Sequence, residues 1–179
     1  MDDRAMLELL HASGPDERYA DALMTFGRFV GSWDVEASYF DADGNRTVQR
    51  RGEWHFGWVL RGRAIQDVLI SPPLDEQEQT GAPEIEYGST LRQYEPKTDT
   101  WQISFFAPVY GAVVHLTARP KDDEIVLEGE TPDGTSHRWV FSDITSDAFT
   151  WSGYESHDQG RTWAFVERIQ AARRPEAAL

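Results

Sequence analysis

From Gly31 onward the chain alternates apolar and polar residues in short runs divided by polar turns. Residues 29–40 set the pattern. Trp33, Val35, Ala37 and Tyr39 share one face, and Asp34, Glu36 and Ser38 share the other, the period-2 rhythm of a half-buried strand. Gly31 stands two places before Trp33, and a residue without a Cβ there lets the indole fold back over a closing end of a sheet. Residues 46–58 place Val48, Arg50, Trp54, Phe56 and Trp58 on one face, with Gly52 marking a bend. Residues 63–70 are apolar on both faces, so whether Ile65, Asp67 and Leu69 or Ala64, Gln66, Val68 and Ile70 point inward stays open. Residues 87–94 and 100–107 read as one hairpin, with Trp101, Ile103 and Phe105 on a common face. Residues 111–119 and 124–130 read as another. His137, Trp139 and Phe141 align on the next strand, then Phe149, Trp151, Gly153 and Glu155, then Trp163, Phe165, Glu167 and Ile169 on the last. About ten consecutive strands with short turns predict an antiparallel meander, and a sheet of that size closes on itself because closure removes its edges.

Two stretches break the rhythm. Met6, Leu7, Leu9 and Leu10 cluster as in a short helix that Ser13-Gly14-Pro15 ends, and Tyr19, Leu23, Phe26 and Val30 follow at helical spacing. These segments are placed to cover one barrel end, although the first also reads as a mobile tail. Residues 71–86, with Pro72, Pro73, Gly81, Pro83 and several acids, read as a long exposed loop, either a lid or locally disordered. The expected organisation is one domain over residues 1–179: a helical segment 1–30, a β-barrel 31–170, and the loop 71–86.

Composition narrows the function. The chain of 179 residues carries a net charge of −14, which argues against nucleic-acid binding and against anionic membrane surfaces, both of which need a basic face. No apolar run approaches the roughly 20 residues of a membrane helix, and the acidic N-terminus does not read as a secretory signal. The sequence has no cysteine, which excludes disulfides, thiolate metal sites and a cysteine nucleophile and fits a cytoplasmic location. No two histidines have a local metal-ligand spacing, so neither metal nor cofactor is expected.

The pieces FVGSWDVEASYFDADG, GEWHFGWVLRGRAIQDV, YGSTLRQYEPKTDTW, DEIVLEG, HRWVFSDITSDAFTW and TWAFVERI follow in this order, covering roughly residues 26–168. Together they resemble a bacterial family of lipocalin-like barrel proteins of unknown function, related to the calycins and to nitrobindin-type barrels. That resemblance implies a closed up-and-down barrel with a central cavity, and it carries over no catalytic residues. Haem ligation of the nitrobindin kind would rest on His115, a lone strand histidine of the sort that is usually structural. Residues 156–163, SHDQGRTW, match the Asp-box S-x-D-x-G-x-T-W of sialidases, where the motif lies away from catalysis; here it reads as a hairpin staple.

The abundance of strand tryptophans has two readings: they fill the core, or they line a cavity that a barrel of this width leaves open. On the second reading Trp54, Trp58, Trp101, Phe105, Trp139 and Trp151 are its walls, and Arg63, His137 and Glu155 orient the ligand. Asp67, His137, Glu155 and Glu167 share apolar faces. Because a buried carboxylate needs a partner, Arg63, Arg92 or Arg138 would pair with them. Three functions stay open. The first is a barrel binding a small hydrophobic or aromatic molecule. The second is a cyclase, isomerase or hydratase in which Glu155, Glu167, His137 or Asp67 moves a proton. The third is an oligomeric structural or interaction protein with a filled core, with a homodimer as its partner state.

Overall fold

In a computed structural model, which describes residues 4–175, ten strands form one closed antiparallel barrel. They are β1 (Gly31–Phe40), β2 (Arg46–Val59), β3 (Ala64–Ser71), β4 (Glu86–Glu95), β5 (Thr100–Ala107), β6 (Ala112–Lys121), β7 (Glu124–Glu130), β8 (Ser136–Ser142), β9 (Ala148–Ser156) and β10 (Ala164–Arg173). Each strand pairs with its sequence neighbour, and β10 pairs with β1, Trp33 opposite Arg173 and Tyr39 opposite Glu167. The barrel is thus the up-and-down type the alternation predicts, with no free edge.

The seam is locked by the first strand's tryptophan. Its Nε1–H donates to the Phe29 carbonyl at 2.7 Å, and Arg173 lies over its ring at 4.1 Å. Arg173 also donates to the carbonyls of Val30, Arg28 and Ser146. Gly31 has φ +126°, and a Cβ there would come within 2.8 Å of the Arg173 guanidinium. The glycine therefore makes room for the closing arginine rather than for the indole.

Helix α1 (Arg4–Leu10) buries no residue, whereas α2 (Ala20–Gly27) buries Leu23, Phe26 and Gly27. Helix α2 plugs the end of the barrel where β1 begins. Phe26 meets the rings of Trp101, Phe141 and Phe29, and Phe29 meets Phe56 and Phe149. Fully burying such rings contributes about 1.5–3 kcal/mol each, so this end holds a large share of the core. At the opposite end, where β1 and β3 finish and β4 begins, no helix contributes a buried residue.

Two expectations are corrected. The segment 71–86 is not a structureless loop: it contains α3 (Leu74–Thr80), which starts after Pro73 and is closed by Gly81. Glu53 accepts the Leu74 N–H at 3.0 Å and Gln77 donates to the Pro72 carbonyl at 2.7 Å, which ties the helix to β2. Proline before a helix and glycine after it are ordinary boundaries; here they mark a helix start and stop within what reads as a loop. The second correction is in β10. A β-bulge between Phe165 and Glu167 shifts the alternation by one residue. Phe165 therefore packs on the outside against Phe40 and Tyr154, while Glu167 and Ile169 point inward. Trp163 precedes the strand and packs beneath Arg138 at 4.1 Å.

Candidate functional site

The unplugged half of the barrel encloses a cavity of about 300 Å³, at the lower end of the size that holds small molecules. Strand alternation aims alternate side chains into it. β9 supplies Trp151, Gly153 and Glu155, β8 supplies His137 and Trp139, β5 supplies Phe105, and β10 supplies Glu167 and Ile169 around its bulge. Trp139 meets Phe105 at 5.5 Å and Trp151 at 5.5 Å, both edge-on, so the three rings form one aromatic wall.

The floor is ionic. Arg92 and Asp67 are both about 2% exposed and form a direct ion pair. Asp67 also accepts the Thr90 N–H at 3.1 Å. The Arg92 guanidinium rests on the rings of Phe26, Phe56 and Phe141 at 5.2–5.9 Å, so the same residue roofs the plug and floors the cavity. Removing one partner of such a pair leaves an uncompensated buried charge.

Nearer the open end, Glu86, Glu167 and Tyr39 line the wall. Burial pushes the Glu86 carboxyl up to about 7, and no cation counteracts it. Burial also pushes Glu167 up to about 7; the Tyr39 hydroxyl lowers it and the charge of Glu86 raises it. Burial, and then Glu167, hold the Tyr39 phenol well above its ordinary range. Tyr110, 59% exposed, stands at the mouth and donates to the Ile85 carbonyl at 2.6 Å. His137 faces Glu155 at 3.8 Å and Thr131 at 3.2 Å.

Among the described residues, the enclosed side-chain polar atoms without a hydrogen-bond partner are Trp54 Nε1, Glu86 Oε1 and Arg92 Nε. All three residues line this one cavity. Enclosed polar atoms are nearly always paired, so each exception needs an explanation.

The structure brings together Trp54, Phe105, Trp139, Trp151, His137, Glu155, Glu167 and Asp67 around the cavity. It does not bring Trp58, Trp101 or Arg63. Trp58 and Trp101 are inward-facing but sit at the plugged end. Trp58 lies on α2, where a Cβ on Gly27 would come within 2.5 Å of its ring, and Trp101 packs on Phe26 at 4.9 Å. Arg63 is exposed at the same end and pairs with Asp16 at 3.3 Å. Of the arginines weighed as partners, Arg92 takes Asp67 and Arg138 takes Glu128 outside the barrel at 2.7 Å. His115 faces outward, bonded to Ser104 at 3.0 Å, away from any interior ligand. Sequence reasoning missed Glu86, Tyr110 and Thr90 as lining residues. Glu86 was hidden in the presumed loop, and its only signal is that it begins the alternation Glu86, Gly88, Thr90, Arg92.

The Asp-box is local, as read. Ser156 Oγ donates to Asp158 at 2.8 Å, and Asp158 accepts from the N–H groups of Arg161 and Thr162 and from the Thr162 hydroxyl. These bonds hold the Asp158 carboxyl down to about 2. No group of three or more His, Asp or Glu side chains among the described residues is placed to hold a metal ion, and no helix among them is long and apolar enough to cross a membrane.

No protein-family model matches the chain, and no curated protein matches its sequence. Among solved structures it is similar to the S-type phycobiliprotein lyase CPES from Guillardia theta, with TM-score 0.58 and 14% identity over 86% of this chain and 93% of that one. It also matches EF1p2_mFAP2b bound to DFHBI, with TM-score 0.40 and 13% identity over 83% of this chain and 94% of that one. At such identities the first likeness establishes the fold class, a lipocalin-like antiparallel barrel.

Proposed function

We propose that this chain is a binding barrel that holds a small aromatic molecule in its unplugged half. The observation that carries the reading is the convergence of all three unpartnered enclosed polar atoms on one aromatic-walled cavity. The apolar body of the ligand lies against Phe105, Trp139 and Trp151. The donors Trp54 Nε1 and Arg92 Nε at the floor call for an acceptor on the ligand, and Glu86 calls for a donor. The test is titration of intrinsic tryptophan emission and thermal midpoint with a panel of small aromatic compounds, in the wild type and in Trp139→Ala. Saturable quenching that weakens in the variant is the expected result; a panel that moves neither signal ends the proposal.

A second reading has its own observation. Glu167 lines the cavity with a carboxyl near neutrality, suited to a general acid or base in a cyclase, isomerase or hydratase. Of the other proton-transfer candidates, Asp67 is fixed by Arg92 and the Thr90 N–H, which leaves Glu155 and His137 beside Glu167. Turnover of a bound compound that survives Glu167→Gln, Glu155→Gln and His137→Ala together would remove it.

A further inference from the structure

We propose that, given the binding role above, the occupant of this cavity carries a protonated amine on its aromatic body and that Glu86 and Glu167 hold the ammonium group. Glu86 is 9% exposed, and its Oε1 is enclosed without any donor. It lines the same cavity as Glu167, from β4 across the barrel from β10, and its charge helps to raise the Glu167 carboxyl. Two enclosed carboxyls facing one space are costly when both are ionised. A cation between them removes the repulsion and supplies the missing donor. Among the described residues no cation offsets the burial of either carboxyl. Arg92 is committed to Asp67, and Arg50 lies over the Tyr39 ring at 5.6 Å, where it acts on Tyr110 rather than on Glu86. The other titratable groups facing the pair are Tyr39, Tyr110, His137 and Glu155. His137 has Glu155 and Thr131 as its neighbours. The wall is thus rich in acceptors and poor in donors, and the aromatic faces beside it suit a flat ring.

The inference adds a pH dependence to the binding. Both carboxyls titrate near 7, whereas an alkylammonium stays charged to about 10. Affinity for an amine therefore rises as pH climbs from about 6 to about 8 and the carboxyls ionise. Calorimetric titration with matched pairs, tryptamine with tryptophol and tyramine with tyrosol, separates charge from shape. At pH 8 the expected preference for each amine over its alcohol is about tenfold to a hundredfold, the range of a charge-assisted hydrogen bond. Glu86→Gln and Glu167→Gln are each expected to reduce that preference by weakening the amine more than its alcohol, and each variant's circular dichroism spectrum checks that it folds. Amine and alcohol binding equally well, or a preference untouched in both variants, overturns the amine assignment and leaves the binding barrel standing. If neither member of either pair binds, the assignment falls, and the wider panel of neutral aromatics decides the binding reading separately.

Discussion

The two ends of this barrel are built from the same ten strands with the same inward alternation, yet one is solid and the other hollow. At the end where β1 begins, α2 drives Phe26 between Trp101, Phe141 and Phe29, and the interior is closed by rings. At the other end the strands carry comparable rings, Trp54, Phe105, Trp139 and Trp151, but no segment enters, and a cavity of about 300 Å³ remains. A barrel of ten strands is wider than its own side chains can fill, so the segment that precedes the first strand decides which half becomes core. The polar interior follows the same division. Four acids line the hollow half, Asp67, Glu86, Glu155 and Glu167, and among them the most buried, Asp67, is the one paired with an arginine.

Truncating the plug gives the largest effect. Phe26→Ala is expected to cost about 3–5 kcal/mol in denaturant unfolding, the range for a well-enclosed aromatic. Phe105→Ala, on the cavity wall, should cost less than half as much, because one side of that ring already faces open space. Equal costs would mean that the two halves are equally packed. Next comes a contrast between carboxylates. Asp67→Asn leaves Arg92 buried without its counter-charge and should destabilise by about 3 kcal/mol. Glu86→Gln removes a charge that has no partner and should be neutral or stabilising above pH 7.

A smaller effect is the pH profile. Glu86 and Glu167 titrate at about 7 when folded, against 4.5 as their ordinary value. Between those limits the native state keeps protons that the unfolded chain has released. Their contribution is full below about pH 4.5 and is lost as pH rises through about 7. Stability should therefore fall from about pH 5 to about pH 8, on the order of 1–2 kcal/mol for each group after screening by solvent. The double variant Glu86→Gln/Glu167→Gln should flatten the slope, as chemical denaturation across that pH range would reveal. A wild-type profile that rises over the window would contradict the burial of both groups.

Much of the division between inside and outside was legible from alternation alone. Trp33, Val35 and Ala37, then Trp54 and Phe56, then Trp139 and Phe141 face the interior as their spacing predicts. Height along the barrel was not legible. Trp58 and Trp54 share a face and differ by two repeats of the pleat, yet one lies under α2 and the other lines the cavity, because only the folded register sets which strand end meets the helix. The bulge at Phe165 was also invisible, since one unpaired residue leaves no mark in composition. Glu86 was hidden by its neighbours: the prolines and acids before it read as loop, although the strand begins on it.

Arg63 provides the smallest expected effect and the most direct check on which half takes the ligand. By sequence it belongs with the orienting groups of the cavity, an arginine at a strand entry beside a run of alternating residues. In the fold that entry is at the plugged end, where Arg63 is mostly exposed and meets Asp16, itself held by Arg18 at 2.6 Å. Exposed ion pairs of this kind contribute little. Arg63→Ala should therefore leave both the denaturation midpoint and the affinity for any aromatic probe unchanged, while Trp139→Ala weakens the affinity. Loss of binding in Arg63→Ala with Trp139→Ala unaffected would reverse the assignment of the two ends and place the ligand beside α2 rather than between Glu86 and Glu167.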